Sequence, residues 1–261
     1  MSQGFYMTLP SNSSSSYYPN NSMSDFSVKL DSAIELQDRW EVGLTEIVFP
    51  KSWNNVQTGS LWIEIEGNEG FYTRQRVEVP AGFYRDITDI LTYLNEHALA
   101  LTPRKQDNTY APGYTKLFNY NKSANRVVIA GNKKIFVKFS DDLKFILNLD
   151  KSEYHRMSLV KSTGPVYDIN ADYSVLYVYT SLIADQIVGD TRAPLLRLVC
   201  TGKNKHSTTS YRAFPHVQYL PLKFHQFETI SVNIRDRLGR KVSFQSGQVV
   251  LTVKFRPLRL L

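Results

Sequence analysis

Short segments that alternate apolar and polar residues recur along this chain, and this alternation limits its possible folds more than any other feature. Phe26, Val28 and Leu30 are separated by polar residues, and side chains two apart lie on the same face of a β-strand. Related strand-like patterns occur in residues 5–9, 40–49, 61–66, 71–79, 116–121, 126–130, 133–139, 174–182, 193–201, 217–222, 229–235 and 248–255. The sequence therefore predicts many short strands, each with one face towards a core.

Two segments have helical spacing instead. Apolar residues recur every three or four positions in residues 86–99, and Asp86 is placed to cap that helix. A second short helix is predicted for residues 141–149, capped by Ser140 or Asp141. Many strands with two isolated helices indicate an all-β fold, either a sandwich or a barrel. We predict a single jelly-roll β-sandwich with one or two short helices in insertions.

The predicted domain organisation has two parts. Residues 1–24 form an N-terminal strand followed by a polar arm, because residues 11–24 are rich in Ser and Asn. Residues 25–261 form the jelly-roll domain, with a helix-containing insertion near 80–150. The arm is predicted to be an ordered loop or to fold when subunits assemble, with ordinary flexibility as the default expectation.

Positive charge is concentrated towards the C-terminus. Residues 191–261 contain 13 Lys and Arg against two acidic residues, within a chain of formal net charge +7. Such a region can contact nucleic acid or an acidic partner, or it can be a solvated face. Gly239 is expected to have positive φ in a hairpin turn. Around this turn we predict an assembly or nucleic-acid contact made by Arg235, Arg237, Arg240 and Lys241.

The residue types that carry catalysis are present but scattered. The five histidines lack the spacing of a metal site, and we find no phosphate-binding glycine loop. Cys200, the sole cysteine, lies in an apolar strand and is predicted to be buried. We therefore expect no enzyme activity, no catalytic residue, no metal and no cofactor.

Several segments are informative when taken together and in order. They are F-Y-M-T-L-P-S-N at 5–12, W-E-V-G-L at 40–44, W-N-N-V at 53–56, P-A-G-F-Y at 80–84, V-G-D at 188–190, P-L-L-R at 194–197 and I-R-D at 234–236. In this combination the chain resembles the penton proteins, the minor capsid proteins at the vertices of Maverick/Polinton-like viruses and transposons.

The resemblance implies a homopentamer at the icosahedral vertices of a capsid. Its partner there would be a double jelly-roll major capsid protein, and packaged DNA would lie at the inner face. The protein would be made in the host cytoplasm or nucleus and would be located in the virion. No apolar run is long enough to span a membrane.

Two alternatives come from other classes of protein. The first is a carbohydrate- or receptor-binding β-sandwich module, because aromatic residues in predicted loops could stack on sugars. The residues in question are Tyr17, Tyr18, Tyr110 and Tyr114. The second is a jelly-roll enzyme, against which the lack of clustered histidines argues.

Overall fold

The structure is a computed structural model that describes residues 4–67, 75–101, 116–129, 135–150, 154–156, 160–202 and 208–258. Within these residues the strands are β1 (Phe5–Pro10), β2 (Asp25–Glu35), β3 (Trp40–Pro50), β4 (Trp62–Gly67), β5 (Gln75–Glu78), β6 (Phe118–Asn121), β7 (Arg126–Ile129), β8 (Ile135–Phe139), β9 (Tyr154–Arg156), β10 (Val160–Lys161), β11 (Val175–Thr180), β12 (Gln186–Val188), β13 (Thr191–Ala193), β14 (Leu195–Cys200), β15 (Thr209–Ala213), β16 (Leu220–Pro221), β17 (Gln226–Arg235) and β18 (Val250–Pro257). The α-helices are α1 (Ile87–Leu101) and α2 (Asp141–Leu147), and a 3-10 helix spans Ala171–Tyr173.

The chain divides into two compact units. The sandwich unit comprises residues 1–53 and 172–261, and the insertion unit comprises residues 54–171. In sequence, the insertion unit lies between β3 and β11 of the sandwich unit. The domain boundaries predicted from the sequence, 1–24 and 25–261, stay a prediction.

Two antiparallel sheets form the sandwich unit. Their strand orders are β1-β18-β3-β15, with β16 also on β3, and β14-β11-β17-β2. The eight long strands are β1, β2, β3, β11, β14, β15, β17 and β18. Numbered one to eight in this order, they give the sheet orders 1-8-3-6 and 5-4-7-2. This arrangement of eight strands in two sheets is a jelly roll, so the predicted fold is confirmed.

Alternation along the strands fills the core of the sandwich unit. Leu251, Val253 and Phe255 of β18 are buried, while the residues between them are partly exposed. The ring of Phe255 stacks on Phe5 at 4.7 Å and on Phe227 at 5.7 Å between centroids. Each such buried side chain stabilises the fold by about 1.5–3 kcal/mol relative to exposure. Apolar periodicity in the sequence therefore determines which face of each strand points inward.

The insertion unit has its own hydrophobic core. One sheet has the order β5-β4-β8-β9, and a smaller one has the order β10-β7-β6. Ile90 and Leu94 of α1 are fully buried, as are Ile63, Val127 and Leu143 from the strands and α2. Two helices and two small sheets thus share one apolar cluster.

Capping side chains begin both α-helices where the sequence predicts. The Thr88 backbone N–H donates to Asp86 Oδ1 at 2.9 Å, just before α1. The Leu143 backbone N–H donates to Ser140 Oγ at 3.2 Å, so Ser140 is the cap of α2. Asn148 ends α2 in the left-handed conformation, with φ of 52°.

The connection between β17 and β18 differs from the predicted hairpin. Gly239 has φ of 77°, as expected for its turn, and one antiparallel bridge joins Arg235 to Lys241. However, β17 and β18 belong to different sheets. The last two long strands of a jelly roll face each other across the core, so the turn begins a crossover between the sheets.

Cys200 is exposed, and the prediction that it is buried was wrong. It is the last residue of β14, an edge strand, where Val199 points inward and Cys200 points outward. Most residues of β14 are apolar, so its sequence does not show which side chains point to the core and which to solvent.

Some predicted features lie outside the described residues. These are the loop at 102–114 with Tyr110 and Tyr114, the turn at 131–132, the start of the strand at 71–79 and the basic loop at 203–205.

Candidate functional site

The turn after β17 is organised by one buried carboxylate. The side chain of Asp236 is only 1% exposed. Its Oδ1 accepts hydrogen bonds from the backbone N–H groups of Leu238 and Arg240, both at 2.9 Å, and its Oδ2 accepts from Arg240 Nε at 2.8 Å. An aspartate that bonds to its own following backbone is a standard way to close a turn. Asp236 therefore fixes the shape of the predicted basic site.

A second carboxylate joins two of the predicted cations. Arg237 Nη2 lies 2.9 Å from Asp172 Oδ1, and Arg240 Nη2 lies 2.9 Å from Asp172 Oδ2. The Arg237 backbone N–H also donates to the Asp172 carbonyl at 3.2 Å. The hydrogen bond to Asp236 raises the pKa of the Arg240 guanidinium. Asp172 thereby ties the turn to the chain segment that precedes β11.

The other two cations extend the same site towards β2. Lys241 forms an ion pair with Asp25, and Arg235 donates to the Asn233 side chain. Burial raises the pKa of Asp25, but hydrogen bonds from Lys241 and Asn233 outweigh this and lower it overall. The structure therefore brings all four predicted cations to one site in the sandwich unit.

This basic turn is less positive than its sequence suggests. Its four cations lie among three carboxylates, those of Asp25, Asp172 and Asp236. Elsewhere, Arg256 from the basic C-terminal region pairs with Glu41 of β3. Strand pairing thus places basic residues from late in the chain beside acidic residues from earlier in it. Contact with DNA or with another subunit at this turn stays a prediction.

Sequence reasoning found the cations but missed the carboxylates that hold them. Asp236 lies inside the turn and could have been recognised as an aspartate that bonds to the backbone two residues later. Asp172 and Asp25 are distant in sequence, and no local pattern connects them with the turn. Only the strand topology brings them there.

An exposed β-ribbon is a second candidate surface. β12 and β13 pair with each other, from Gln186 opposite Ala193 to Val188 opposite Thr191. Ile187 in this ribbon is 78% exposed, the highest exposure of any large apolar side chain in the described part of the chain. Single exposed apolar residues are common on protein surfaces, so Ile187 makes the ribbon a candidate contact and no more.

The polar segment at 11–24 covers a sheet edge. Asn21 Nδ2 donates to the Ser27 carbonyl, and the Ser27 N–H donates to Asn21 Oδ1, both at 2.9 Å. The Lys29 N–H donates to Ser14 Oγ, also at 2.9 Å. β2 is an edge strand, and an uncovered edge invites pairing with another chain. Ser and Asn therefore act here as substitutes for a neighbouring strand.

A pocket of about 430 Å³ lies between this segment, the start of β2 and the basic turn. It is lined by Tyr17, Tyr18, Pro19, Asn20, Asn21, Asp25, Phe26, Ser27 and Lys241. Tyr17 and Tyr18, which the sequence suggests for stacking on sugars, thus line the same pocket as Lys241 of the predicted basic site.

Neither a metal-ligand cluster nor a membrane-spanning helix occurs in the described part of the chain. None of its His, Cys, Asp and Glu residues form a group of three that could hold a metal ion. None of its helices is long and apolar enough to cross a membrane.

The topology defines a single jelly roll with a large insertion between its third and fourth long strands. No family model matches the sequence, and no curated protein matches it. Two solved structures are similar over almost the whole chain. The crystal structure of the mavirus penton protein is 12% identical, covers 98% of this chain and 100% of that one, and has a TM-score of 0.50.

The second is a chain in the cryo-EM structure of the Sputnik virophage. It is 8% identical, covers 98% of both chains and has a TM-score of 0.53. At these identities the likeness concerns the fold. The resemblance to penton proteins of Maverick/Polinton-like elements is thus confirmed at the level of structure.

Proposed function

We propose that this chain is a non-enzymatic structural protein of a virus-type capsid, a penton subunit of which five copies form a ring at each vertex. The observation that carries the proposal is the end-to-end likeness to the mavirus penton protein, with 98% of this chain and 100% of that chain covered. The insertion is included in this match, so the shared architecture extends beyond a generic eight-stranded sandwich.

A five-membered ring needs two different surfaces on each subunit, because each copy contacts its neighbours head to tail. The β12–β13 ribbon supplies one candidate surface. Its strands pair only with each other among the described strands, and Ile187 offers an apolar side chain to a neighbouring subunit. Burying such a residue at a subunit contact removes apolar surface from water.

The remaining partners follow from the same proposal. The ring would lie among double jelly-roll major capsid proteins in the virion, with packaged DNA at its inner face. The basic turn with Arg235, Arg237, Arg240 and Lys241 is the candidate for a contact with a neighbouring capsid protein or with DNA. Its small net charge favours a protein contact, because DNA binding depends on several unpaired cations.

The test is the solution mass of the full chain by light scattering, at several protein concentrations and two salt concentrations. We expect a discrete species of five times the 30.0 kDa chain mass. If the chain is monomeric, co-expression with a major capsid protein follows, and the ring is then expected in the co-purified assembly. Monomers in both experiments would refute the proposal.

A pair of variants locates the contact. Ile187→Asp places a charge at the centre of the proposed interface and is expected to reduce the ring to monomers. Ile187→Val keeps the apolar surface and is expected to keep the ring. Both should have the circular dichroism spectrum of the parent, because Ile187 lies outside the core. A ring that survives Ile187→Asp excludes the ribbon as a contact.

A further inference from the structure

The pocket beside β2 has the size of a small-molecule site. Its volume of about 430 Å³ lies within the range of roughly 300–1,000 Å³ typical of ligand pockets. All of its lining residues belong to the sandwich unit of one chain. The lining of the pocket is therefore complete within a single chain.

Two tyrosines form an aromatic wall. Tyr17 is 65% exposed, and Lys29 Nζ lies 5.2 Å from the centre of its ring. Lys29 is held in turn by Glu228 at 2.9 Å. The Tyr18 hydroxyl is hydrogen-bonded to Thr229 Oγ1 at 2.9 Å. These contacts orient both rings, and an oriented exposed ring is a platform for the C–H face of a sugar.

A matched donor and acceptor lie in the same pocket. The carboxylate of Asp25 is an acceptor and the ammonium of Lys241 is a donor, and the two are paired. A sugar hydroxyl both donates and accepts, so adjacent hydroxyls can bond to both groups. The lowered pKa of Asp25 keeps this carboxylate ionised at neutral pH. Because the two charges cancel, the pocket suits a neutral ligand better than an anionic one.

The pocket is also preorganised. The side chain of Asn21 is fixed by hydrogen bonds to the Ser13 carbonyl and to the backbone of Ser27. Asn20, which also lines the pocket, is exposed, and its side chain has no hydrogen-bond partner in the described part of the chain. A fixed pocket loses little conformational entropy on binding, and Asn20 adds a free donor and acceptor.

We propose that this pocket binds a neutral sugar residue at the end of a glycan, with Tyr17 stacking on the ring and the Asp25–Lys241 pair bonding to its hydroxyls. The lining of the site is complete in one chain, but it includes Lys241 of the basic turn. Sugar binding and a contact of Lys241 with DNA or a neighbouring capsid protein therefore exclude each other, and the sugar site requires this turn to be exposed. A vertex ring with the turn on its outer face would present five copies to a glycan-bearing surface and gain avidity.

The test is ligand-observed NMR with the full chain. The probes are the methyl glycosides of glucose, galactose, mannose and N-acetylglucosamine, the corresponding free sugars, N-acetylneuraminic acid and a sulfated disaccharide. We expect saturable binding of at least one neutral methyl glycoside. Tyr17→Ala should weaken it by roughly tenfold or more, because the stacking surface is lost.

Three further variants separate direct from indirect effects. Tyr17→Phe keeps the ring without the hydroxyl and should bind more tightly than Tyr17→Ala. Tyr211→Ala removes another exposed tyrosine, one that does not line the pocket, and should bind like the parent. Asp25→Asn keeps the shape but removes the charge, and should weaken binding.

Several outcomes would overturn the inference. These are no saturable binding of any neutral methyl glycoside, binding of free sugars alone, and preference for the two anionic probes. Binding that survives Tyr17→Ala would also overturn it. These readouts measure ligand binding, whereas light scattering measures mass, so failure of the sugar site and failure of the ring can be told apart.

Discussion

The sandwich unit and the insertion unit are built from contacts of very different range. In the sandwich unit, β1 pairs with β18, so that Phe5 lies opposite Phe255. In the insertion unit, β6 pairs with β7 across a short turn, and the most distant pair among the described strands, β4 with β8, places Ile63 opposite Phe139. Local pairs form quickly, whereas distant pairs require closure of long loops. The insertion unit is therefore closed within one continuous segment of the chain, whereas the sandwich unit requires the two ends of the chain to meet.

Charge pairs show the same contrast. In the sandwich unit, Arg256 reaches Glu41 from the opposite end of the chain. In the insertion unit, Arg85 pairs with Asp89 one helical turn away. The strand topology mixes early and late segments of the chain. It thereby pairs cations of the basic C-terminal region with acidic residues from the first part of the chain.

One arrangement of hydrogen bonds occurs in both units. An asparagine side chain donates to the backbone carbonyl and accepts from the backbone N–H of one other residue, as a neighbouring strand would. The pairs are Asn21 with Ser27, Asn55 with Tyr84, and Asn95 with Phe118. These bonds give partners to backbone groups, although the Tyr84 carbonyl also accepts from Asn170 at 3.2 Å. Asn55 and Tyr84 lie in segments of the family resemblance, where their role is therefore structural.

The largest expected effect tests whether the two units unfold separately. Phe255→Ala should destabilise the sandwich unit by about 3–5 kcal/mol, and Leu94→Ala should destabilise the insertion unit by about 2–5 kcal/mol, because both side chains are fully buried. Hydrogen exchange measured by mass spectrometry should show lost protection in the substituted unit alone. If either substitution abolishes protection in both units equally, the chain unfolds as one cooperative body.

This contrast also explains what the sequence could and could not predict. α1 depends on local spacing and on Asp86, and both were recognisable. The alternation in β17 and β18 was recognisable too, but their assignment to different sheets was not, because it depends on partners elsewhere in the chain. For the same reason the cations of the basic turn were found while Asp25 and Asp172 were missed.

The second prediction compares a buried and an exposed aspartate. Asp236→Ala removes the acceptor of three hydrogen bonds at the basic turn and should lower the free energy of unfolding by about 2–4 kcal/mol. Asp141→Ala in the insertion unit removes an exposed partner of Lys144 and one carboxylate from the first turn of α2, so it should cost much less than Asp236→Ala. Urea denaturation of both variants checks this. Equal effects would mean that Asp236 does not organise the turn.

The third prediction compares the asparagine bonds of the two units. Asn95→Ala should cost about 2 kcal/mol, because it leaves the buried N–H and carbonyl of Phe118 without partners. Asn21→Ala should cost about 1 kcal/mol, because water can replace the amide at the edge of β2. It should, however, increase concentration-dependent aggregation, because the edge is uncovered. Light scattering after mild heating would measure this aggregation. The control is Asn95→Ala, heated to the temperature at which it has the same free energy of unfolding as Asn21→Ala.

The smallest expected effect concerns the long-range pair of Asp25 and Lys241. The pKa of Asp25 is lowered in the folded state, so its contribution to stability is present above its ordinary pKa of 3.8 and is lost as the pH falls through the lowered value. Because both side chains are partly exposed, we expect no more than about 0.2–1 kcal/mol. Lys241→Gln should therefore differ from the parent at about pH 7, and the difference should shrink as the pH falls below 3.8 and through the lowered pKa of Asp25.

Urea denaturation across this pH range measures the difference, and Arg85→Gln is the matched control from the insertion unit. Arg85 and Asp89 are neighbours on one turn, so their proximity persists wherever that turn forms, even in partly unfolded chains. Asp25 and Lys241 are neighbours only when β2 and the basic turn are both in place. Salt should weaken both pairs, but unfolding of the chain should separate Asp25 from Lys241 completely while leaving Arg85 and Asp89 close in sequence. A Lys241→Gln difference that does not shrink as the pH falls well below 3.8 would mean that Lys241 acts through packing instead of charge.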